Sequence, residues 1–172
     1  MDIAVNRLTN CNVYIDGVNL LGRAEEVTIP KPKHKYTDHK GLGMAGSVKL
    51  WAGIDVVQAK IKWASIYPEV EAVINTPFEA LQMQVRGSIN QYEGGALVAE
   101  VPFVYMMTAT TEDGGEMAFK MHENVDTTST FSLVHHELYI DGDQMFLYDV
   151  MSNTYIVDGD DQLANFRANL GG

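Results

Sequence analysis

Two neighbouring segments near the middle of this chain alternate apolar and polar residues with a period of two. Such alternation is typical of long strands that bury one face and expose the other. Glu93-Gly94-Gly95 lies between the segments and contains residues that favour a chain reversal. We therefore predict a long antiparallel hairpin with one apolar face. The residues predicted on that face are Leu81, Met83, Val85 and Ile89 in the first strand and Leu97, Val101, Phe103 and Tyr105 in the second.

Turn residues separate shorter runs of the same kind, so we predict a mainly β chain. Asp16-Gly17 and Asp141-Gly142 each follow such a run and favour tight turns. The predicted architecture is two packed antiparallel sheets, sandwich-like or barrel-like, in a single domain over residues 1–172. The other strands are predicted over residues 13–15, 24–29, 57–66, 116–121, 131–140, 144–150 and 155–157.

Two short segments favour helix instead. Pro68 suits the first position of a short helix over residues 68–74, after the third long strand. A C-terminal helix is predicted over residues 160–170, with Asp160 or Asp161 as its cap. We expect this helix to pack against a neighbour, because three apolar residues would share one face. They are Leu163, Phe166 and Leu170.

The charge of the chain is large, negative and unevenly placed. Its formal value is −11, from 12 basic and 23 acidic residues. Residues 1–86 hold ten basic and nine acidic residues, whereas residues 87–172 hold two basic and fourteen acidic ones. This polarity permits head-to-tail association of copies. The negative balance opposes general binding along a nucleic-acid backbone, since such binding depends on cations that neutralise phosphates.

Cysteine content and hydropathy indicate where the chain can fold. Cys11 is the only cysteine, which excludes an internal disulfide and fits assembly in a reducing cytoplasm. The most apolar window, residues 97–109, is interrupted by Glu100 and Pro102. Because this window is well short of a membrane span, we expect neither a targeting segment nor membrane insertion.

Residues 30–54, called the arm below, do not resemble an ordinary loop. A stretch of this length without a clear buried face is uncommon inside a compact domain and is usually functional or disordered. The arm carries large apolar side chains that a flexible linker would not expose to water. We therefore predict an extended hairpin that buries them against another subunit, with its lysines facing acidic surface. The predicted contact residues are Lys31, Lys33, Lys35, Tyr36, Lys40, Leu42, Met44, Leu50 and Trp51.

A basic nucleic-acid patch with interleaved aromatic residues is the competing interpretation of the arm. The lysines lie beside His34 and His39, which makes that interpretation possible. The net charge of −11 makes it the weaker one.

No motif predicts catalysis, a metal or a cofactor. His135 and His136 are adjacent, so on a strand they point to opposite faces and cannot bind one metal together. No nucleophile elbow and no phosphate-binding glycine loop is present, and we therefore predict that the chain is not an enzyme. Two further clusters have no metal-ligand spacing and are interpreted as turn, capping and solvated residues. They are His122, Glu123 and Asp126, and Asp158, Asp160 and Asp161.

Three separated stretches match one known family in that family's order. They resemble the major tail tube protein of contractile-tailed bacteriophages and R-type pyocins, and they span nearly the full length. The first is Asn10-Cys11-Asn12-Val13-Tyr14-Ile15-Asp16-Gly17-Val18. The second comprises Val27-Thr28-Ile29-Pro30-Lys31, Tyr36 and Gly41-Leu42-Gly43-Met44-Ala45-Gly46-Ser47-Val48. The third comprises Asp149-Val150, Asn153, Gly159-Asp160-Asp161-Gln162-Leu163-Ala164, Arg167, Leu170 and Gly171.

This resemblance implies a structural subunit of a virion tail, assembled in the cytoplasm of a bacterial host. Subunits would form six-membered rings that share one inner β-barrel, and the rings would stack head to tail into a hollow tube. The tail sheath, baseplate and tail terminator proteins would be its partners. DNA would pass through the lumen without specific binding, which suits a wall of uncharged polar or acidic groups.

The polar face of the long hairpin is the predicted wall of that lumen. The alternative is the polar exterior of a monomeric sandwich, and the sequence leaves both open. The residues assigned to the lumen are Gln82, Gln84, Ser88, Asn90 and Glu100.

Two other functions stay open. One is the tube of a phage-derived contractile bacteriocin or injection system that carries no DNA. The other is a small β-sandwich module that binds a glycan or peptide in an aromatic pocket, using Trp51, Trp63 or Tyr92.

Overall fold

The computed structural model describes residues 4–171. The chain is mainly β, and its paired strands are antiparallel, which confirms the predicted fold class. The strands are β1 (Ala4–Ile15), β2 (Val18–Asn19), β3 (Ala24–Thr28), β4 (His34–His39), β5 (Val48–Ile54), β6 (Gln58–Trp63), β7 (Leu81–Glu93), β8 (Ala96–Asp113), β9 (Thr127–Ile140), β10 (Asp143–Asp149), β11 (Thr154–Val157) and β12 (Asp160–Asp161). The helices are α1 (Pro68–Ile74) and α2 (Ala164–Asn169).

Ten of these strands form one sheet, and the sheet branches at β9. Its main path runs in the order β12-β11-β10-β9-β8-β7-β1-β2. The first half of β9 pairs with β6, which in turn pairs with β3, and the second half of β9 pairs with β10. β4 and β5 form a separate two-stranded sheet. The two sheets of the structure are therefore a branched body sheet and the arm hairpin.

The core lies on one face of the long hairpin. Leu81, Met83 and Val85 of β7 are almost fully buried, as the alternation predicted. α1 covers this face with Val70 and Ile74. The largest fully buried side chains include three aromatic residues, Trp63, Tyr105 and Phe131. Such burial contributes roughly 1.5–3 kcal/mol for each large apolar side chain.

Both predicted helices exist, but α2 is shorter than predicted. α1 begins at Pro68 and ends at Ile74, as expected from its proline. α2 begins only at Ala164, because Asp160 and Asp161 pair with β11 as the short strand β12. The carboxylate of Asp161 accepts a hydrogen bond from the N–H of Leu163 at 3.0 Å and forms an ion pair with Arg167. The prediction of helix from residue 160 was therefore wrong, since backbone pairing to β11 takes those residues.

Some strand predictions also differ from the structure. Residues 116–121 form no strand and make only an isolated bridge between Ala118 and Asp126. Alternation alone does not make a strand where no neighbouring strand is available to pair. β1 is longer than the predicted residues 13–15 and begins at Ala4. A register shift pairs Leu97 with Tyr92, so Leu97 leaves the face of Val101 and Tyr105.

Asp-Gly pairs make the turns that follow several strands. Asp16 and Gly17 have φ values of 48° and 81°, and Asp141 and Gly142 have values of 55° and 86°. Two consecutive positive φ angles match the twist of the flanking strands in a two-residue hairpin. The predicted turns thus fix the ends of β1 and β9.

Candidate assembly surfaces

The arm extends from the body as a free hairpin. All six residues of β4 and the first five of β5 are exposed. The strands of the arm hydrogen-bond to each other and to no other strand among residues 4–171. At its base, the N–H of Asp55 donates to the carbonyl oxygen of Lys33 at 2.8 Å. The arm is therefore closed at its base and unsheltered along its length.

The arm exposes apolar side chains at its tip and along both strands. Leu42 at the tip is fully exposed, at 108%. Cross-strand pairing places Tyr36 opposite Trp51 and Thr37 opposite Leu50, so these pairs lie on opposite faces. Met44, Tyr36, Leu50 and Trp51 are each exposed by more than a third. The predicted apolar contact residues are thus present on the surface and lack a covering element within the described part of the chain.

The lysines of the arm surround these apolar residues. Lys35 forms an ion pair with Asp55 at 3.5 Å. The pKa of Asp55 is lowered by a hydrogen bond from the N–H of Val56 and by the charge of Lys35. Lys31, Lys33 and Lys40 make no ion pair within residues 4–171. Three of the four predicted lysines therefore present unmatched positive charge.

An apolar groove lies between the foot of the arm and the C-terminal segment; we call it the foot groove. It consists of two cavities of about 270 Å³ and about 340 Å³ that both contact Trp51 and Leu163. The indole N–H of Trp51 donates to Nδ1 of His34 at 3.2 Å, which fixes the indole at the rim. The groove is also lined by His34, Tyr36, Tyr148, Tyr155, Gln162 and Phe166.

An aromatic cluster runs from exposed His34 at the root of the arm to buried His136 in the core. The rings of His34 and Tyr155 meet edge to face at a centroid distance of 5.7 Å, and Tyr155 meets Tyr148 in the same way at 5.9 Å. Tyr148 contacts His136 at 5.7 Å. Such contacts hold the arm root by packing rather than by charge. The sequence carried no signal for this cluster, since its members are far apart in the chain.

The predicted lumen residues share one face of the body sheet, called the polar face. Gln82 pairs with Thr108, Ser88 with Pro102, and Asn90 with Glu100. The opposite side of the same strands carries the core, so the polar face is the outer side of the hairpin. Gln82 accepts a hydrogen bond from the hydroxyl of Thr108 at 3.1 Å, which links the two strands. Gln84 lies on this face as well and accepts from Nε of Arg86 at 3.1 Å.

The polar face continues across β9 and β10, which the sequence did not indicate. Glu137 accepts hydrogen bonds from the hydroxyl of Tyr139 at 2.9 Å and from the amide of Gln144 at 3.1 Å. Nδ1 of His135 lies 3.1 Å from a carboxylate oxygen of Asp149, and Nε2 lies 3.7 Å from Glu137. The face therefore gains two carboxylates beside one histidine at this end.

Two long strand edges are unpaired among the described residues, and we call them the free edges. β1 pairs with β2 only at Tyr14 and Ile15, which leaves its outer edge free over most of its length. β8 pairs with β9 only from Phe103 onward, so residues 96–102 of β8 provide the second free edge. Val5 and Val98 lie on these stretches and are about half exposed. Exposed long edges of this kind promote pairing with another chain.

The match to known proteins covers almost the whole chain. Residues 5–171 match the family model described as phage tail tube protein FII. The chain belongs to this family. The tail tube protein of Escherichia phage P2 is 29% identical over 173 residues, covering 96% of each chain. The major tail tube protein of Serratia phage KSP20 is 27% identical over 150 residues, covering 86% of this chain and 84% of that one.

A solved structure is similar at a lower level. A chain of the six-fold symmetrised cryo-EM structure of the anti-feeding prophage baseplate has a TM-score of 0.46 and 10% identity. The similarity covers 75% of this chain and 90% of that chain.

Family membership identifies this tail tube protein as a structural component of the virion tail and not an enzyme. Tail tube proteins assemble into homo-oligomeric tubes. Within residues 4–171, no group of three or more His, Cys, Asp or Glu side chains is arranged to hold a metal ion. In that same part of the chain, no helix has the length and apolar content needed to cross a bilayer.

Proposed function

We propose that this tail tube protein forms six-membered rings that stack head to tail around a lumen through which DNA passes. The observation that carries the proposal is the combination of an uncovered apolar arm with two free strand edges in one subunit. Exposed apolar side chains and unpaired strand edges are unfavourable in a solitary protein. Contacts with further copies would bury the side chains and pair the edges.

Ring closure uses the free edges. In the proposed ring, the β1 edge of one subunit pairs with the β8 edge of the next. Closing a sheet on itself removes all of its edges, and it satisfies backbone groups that a monomer leaves to water. The two edges are on opposite sides of the β1-β7-β8 ribbon, as head-to-tail pairing within a ring requires.

The polar face is the proposed wall of the lumen. Of its five paired positions on β7 from Gln82 to Asn90, Arg86 is the only charged one, and Glu100 is opposite Asn90. Glu137 and Asp149 make the β9–β10 end of the face acidic. Such a surface gives a polyanion few cations to bind, so DNA slides without sticking.

Stacking of rings uses the arm. Its unpaired lysines suit the acidic half of a neighbouring subunit, where residues 87–172 hold fourteen acidic and two basic residues. A contact between an arm and a different surface is heterologous, so it repeats along an axis until a capping protein ends it. The tail sheath protein would then bind the outside of the tube, and the baseplate and tail terminator proteins its ends.

Electron microscopy and light scattering of the purified protein test the proposal. We expect rings and tubes for the natural chain. In an arm-deletion variant, an Asp-Gly turn replaces residues 34–54. The turn can bridge the gap because Lys33 and Asp55 are already hydrogen-bonded neighbours. This variant should form rings without tubes, with circular dichroism as the control for folding. A strictly monomeric natural protein at high concentration, or normal tubes from the deletion variant, would contradict the proposal.

A further inference from the structure

The tip of the arm and the foot groove are both apolar, and the groove is large enough for a side chain of the tip. Leu42 projects from the tip fully exposed, and Met44 beside it accepts a hydrogen bond to its sulfur from the N–H of Gly41 at 3.2 Å. The foot groove is lined by aromatic rings and Leu163. A leucine side chain has four carbon atoms and needs roughly 120 Å³ if each takes about the volume of a water molecule. Either cavity of the groove exceeds that volume.

The tip cannot fill the groove of its own subunit. Four consecutive cross-strand pairs join β4 and β5 between the foot and the tip, from Tyr36 with Trp51 to His39 with Val48. At about 3.3 Å per residue, this paired ladder holds the tip roughly 10 Å or more from the foot. An arm tip that fills the groove must therefore come from another copy.

Charge favours the same pairing. Lys40 stands at the tip and makes no ion pair within residues 4–171. Asp158 and Asp160 lie between Tyr155 and Gln162, two residues that line the groove, and both are exposed. Neither aspartate has an ion-pair partner in the described part of the chain. An arriving lysine would be attracted by these two carboxylates as the leucine enters the groove.

We propose that the foot groove is the receptor for the arm tip of a second copy, with Leu42 as the inserted side chain. The inference rests on the proposed function and adds the acceptor site of the stacking contact. The tip of each arm then inserts into the groove of a second copy, and the groove at its foot receives the tip of another. Because the two surfaces differ, each bound copy presents a new empty groove or a new free tip, and the contact propagates.

Disulfide trapping tests the pairing in assembled tubes. In a Cys11→Ser background, Leu42→Cys is combined with Gln162→Cys, an exposed residue of the groove. A disulfide requires Cα atoms within about 7 Å, so only a seated tip cross-links. We expect a ladder of covalent oligomers on a non-reducing gel. The matched control combines Leu42→Cys with Asn165→Cys, an exposed position on α2 that lines neither cavity, and should remain monomeric on the gel.

Fluorescence quenching gives a second measurement, made on tubes of the natural chain. Trp51 is 46% exposed, whereas Trp63 is only 1% exposed. Acrylamide should therefore quench free subunits mainly through Trp51. In natural tubes, we expect the quenching slope to fall to that of the Trp51→Phe subunit, where only Trp63 emits.

The outcomes separate this inference from the proposed function. Tubes without the cysteine ladder, equal cross-linking of the control pair, or an unchanged quenching slope in tubes would overturn the inference and leave the tube intact. Complete absence of rings and tubes from the natural protein would overturn the proposed function and this inference with it.

Discussion

The hydroxyl of Tyr105 lies 2.8 Å from Nδ1 of His136 in the buried core. The same hydroxyl donates to the carbonyl oxygen of Pro30 at 3.0 Å, at the root of the arm. A hydroxyl has one hydrogen, so when Tyr105 donates to Pro30 it accepts from His136, and Nδ1 carries the proton. Nε2 of His136 is then a buried acceptor and has no hydrogen-bond partner among residues 4–171. This pair therefore joins the position of the arm root to a histidine that must stay neutral.

We predict that acid weakens the folded state through His136. Burial, and secondarily the neighbouring His135, lowers the pKa of His136 to about 4. The unfolded value is about 6.5, so the folded state favours the neutral ring. The neutral His136 ring therefore contributes to the free energy of unfolding. This contribution is fully present above pH 6.5 and is lost as the pH falls toward 4, a total loss of about 3 kcal/mol. Urea unfolding of the subunit at several pH values between 4 and 7 measures this loss.

The control for the acid effect is His136→Phe. It removes the titrating group, while the hydroxyl of Tyr105 keeps Pro30 as its acceptor. The dependence of the unfolding free energy on pH between 4 and 6.5 should flatten in this variant. An unchanged pH dependence would show that groups other than His136 cause it.

Ser129→Ala should lower stability by about 1–3 kcal/mol. The indole N–H of Trp63 donates to Oγ of Ser129 at 3.0 Å, and that hydroxyl donates to the carbonyl oxygen of Gly114 at 3.0 Å. The substitution leaves a buried indole N–H without a partner. Thermal or urea unfolding measures the change. The matched control is Thr128→Ala, on the exposed side of the same strand. It should change the free energy of unfolding by no more than about 0.5 kcal/mol. Equal effects of the two variants would refute the role of Ser129.

Gly87→Ala should destabilise the pairing of β1 with β7 by about 1–3 kcal/mol. A Cβ at Gly87 would lie 2.8 Å from the carbonyl oxygen of Asn10 and 2.8 Å from Cδ1 of Leu8. The ladder holds the backbone there, since Gly87 pairs with Cys11 between β1 and β7. Gly46→Ala in the arm has open space and serves as the control. If both alanine variants have the same unfolding midpoint in urea, the close approach of β1 does not require glycine at position 87.

Replacing Lys31, Lys33 and Lys40 together by Glu should abolish tubes and leave the fold intact. These lysines make no ion pair within residues 4–171, so replacing them breaks no ion pair of the subunit. Lys35 is kept, because its loss would leave Asp55 unpaired. Electron microscopy counts the tubes and circular dichroism checks the fold. The triple Arg variant keeps the charge and should assemble, while normal tubes from the Glu variant would refute the predicted role of the lysines.

Lysines on the polar face should hinder DNA passage without preventing assembly. Gln82 and Glu100 are both exposed there, and Lys at each position places cations where the proposed lumen has few. A phage carrying Gln82→Lys and Glu100→Lys should have tails of normal length and reduced infectivity, because added cations bind phosphates. Gln82→Glu is the control and should infect normally. Unaltered infectivity of the lysine phage would remove these residues from the lumen.

The sequence by itself determined the properties that depend on nearest neighbours. The alternation at Leu81, Met83 and Val85 selects which side chains point to the core, because successive residues of a strand face opposite ways. Asp16-Gly17 determined a turn because its two residues adopt positive φ. Pro68 determined the start of α1.

Only the tertiary structure decided the properties that depend on distant partners. Residues 116–121 alternate like a strand yet have no strand to pair with, and Asp160-Asp161 joins β11 before α2 can begin. The burial of His136 beside Tyr105 and the foot groove between Trp51 and Leu163 arise from segments far apart in the chain. Local patterns choose the face of a side chain, but pairing and burial require the folded chain to bring both partners together.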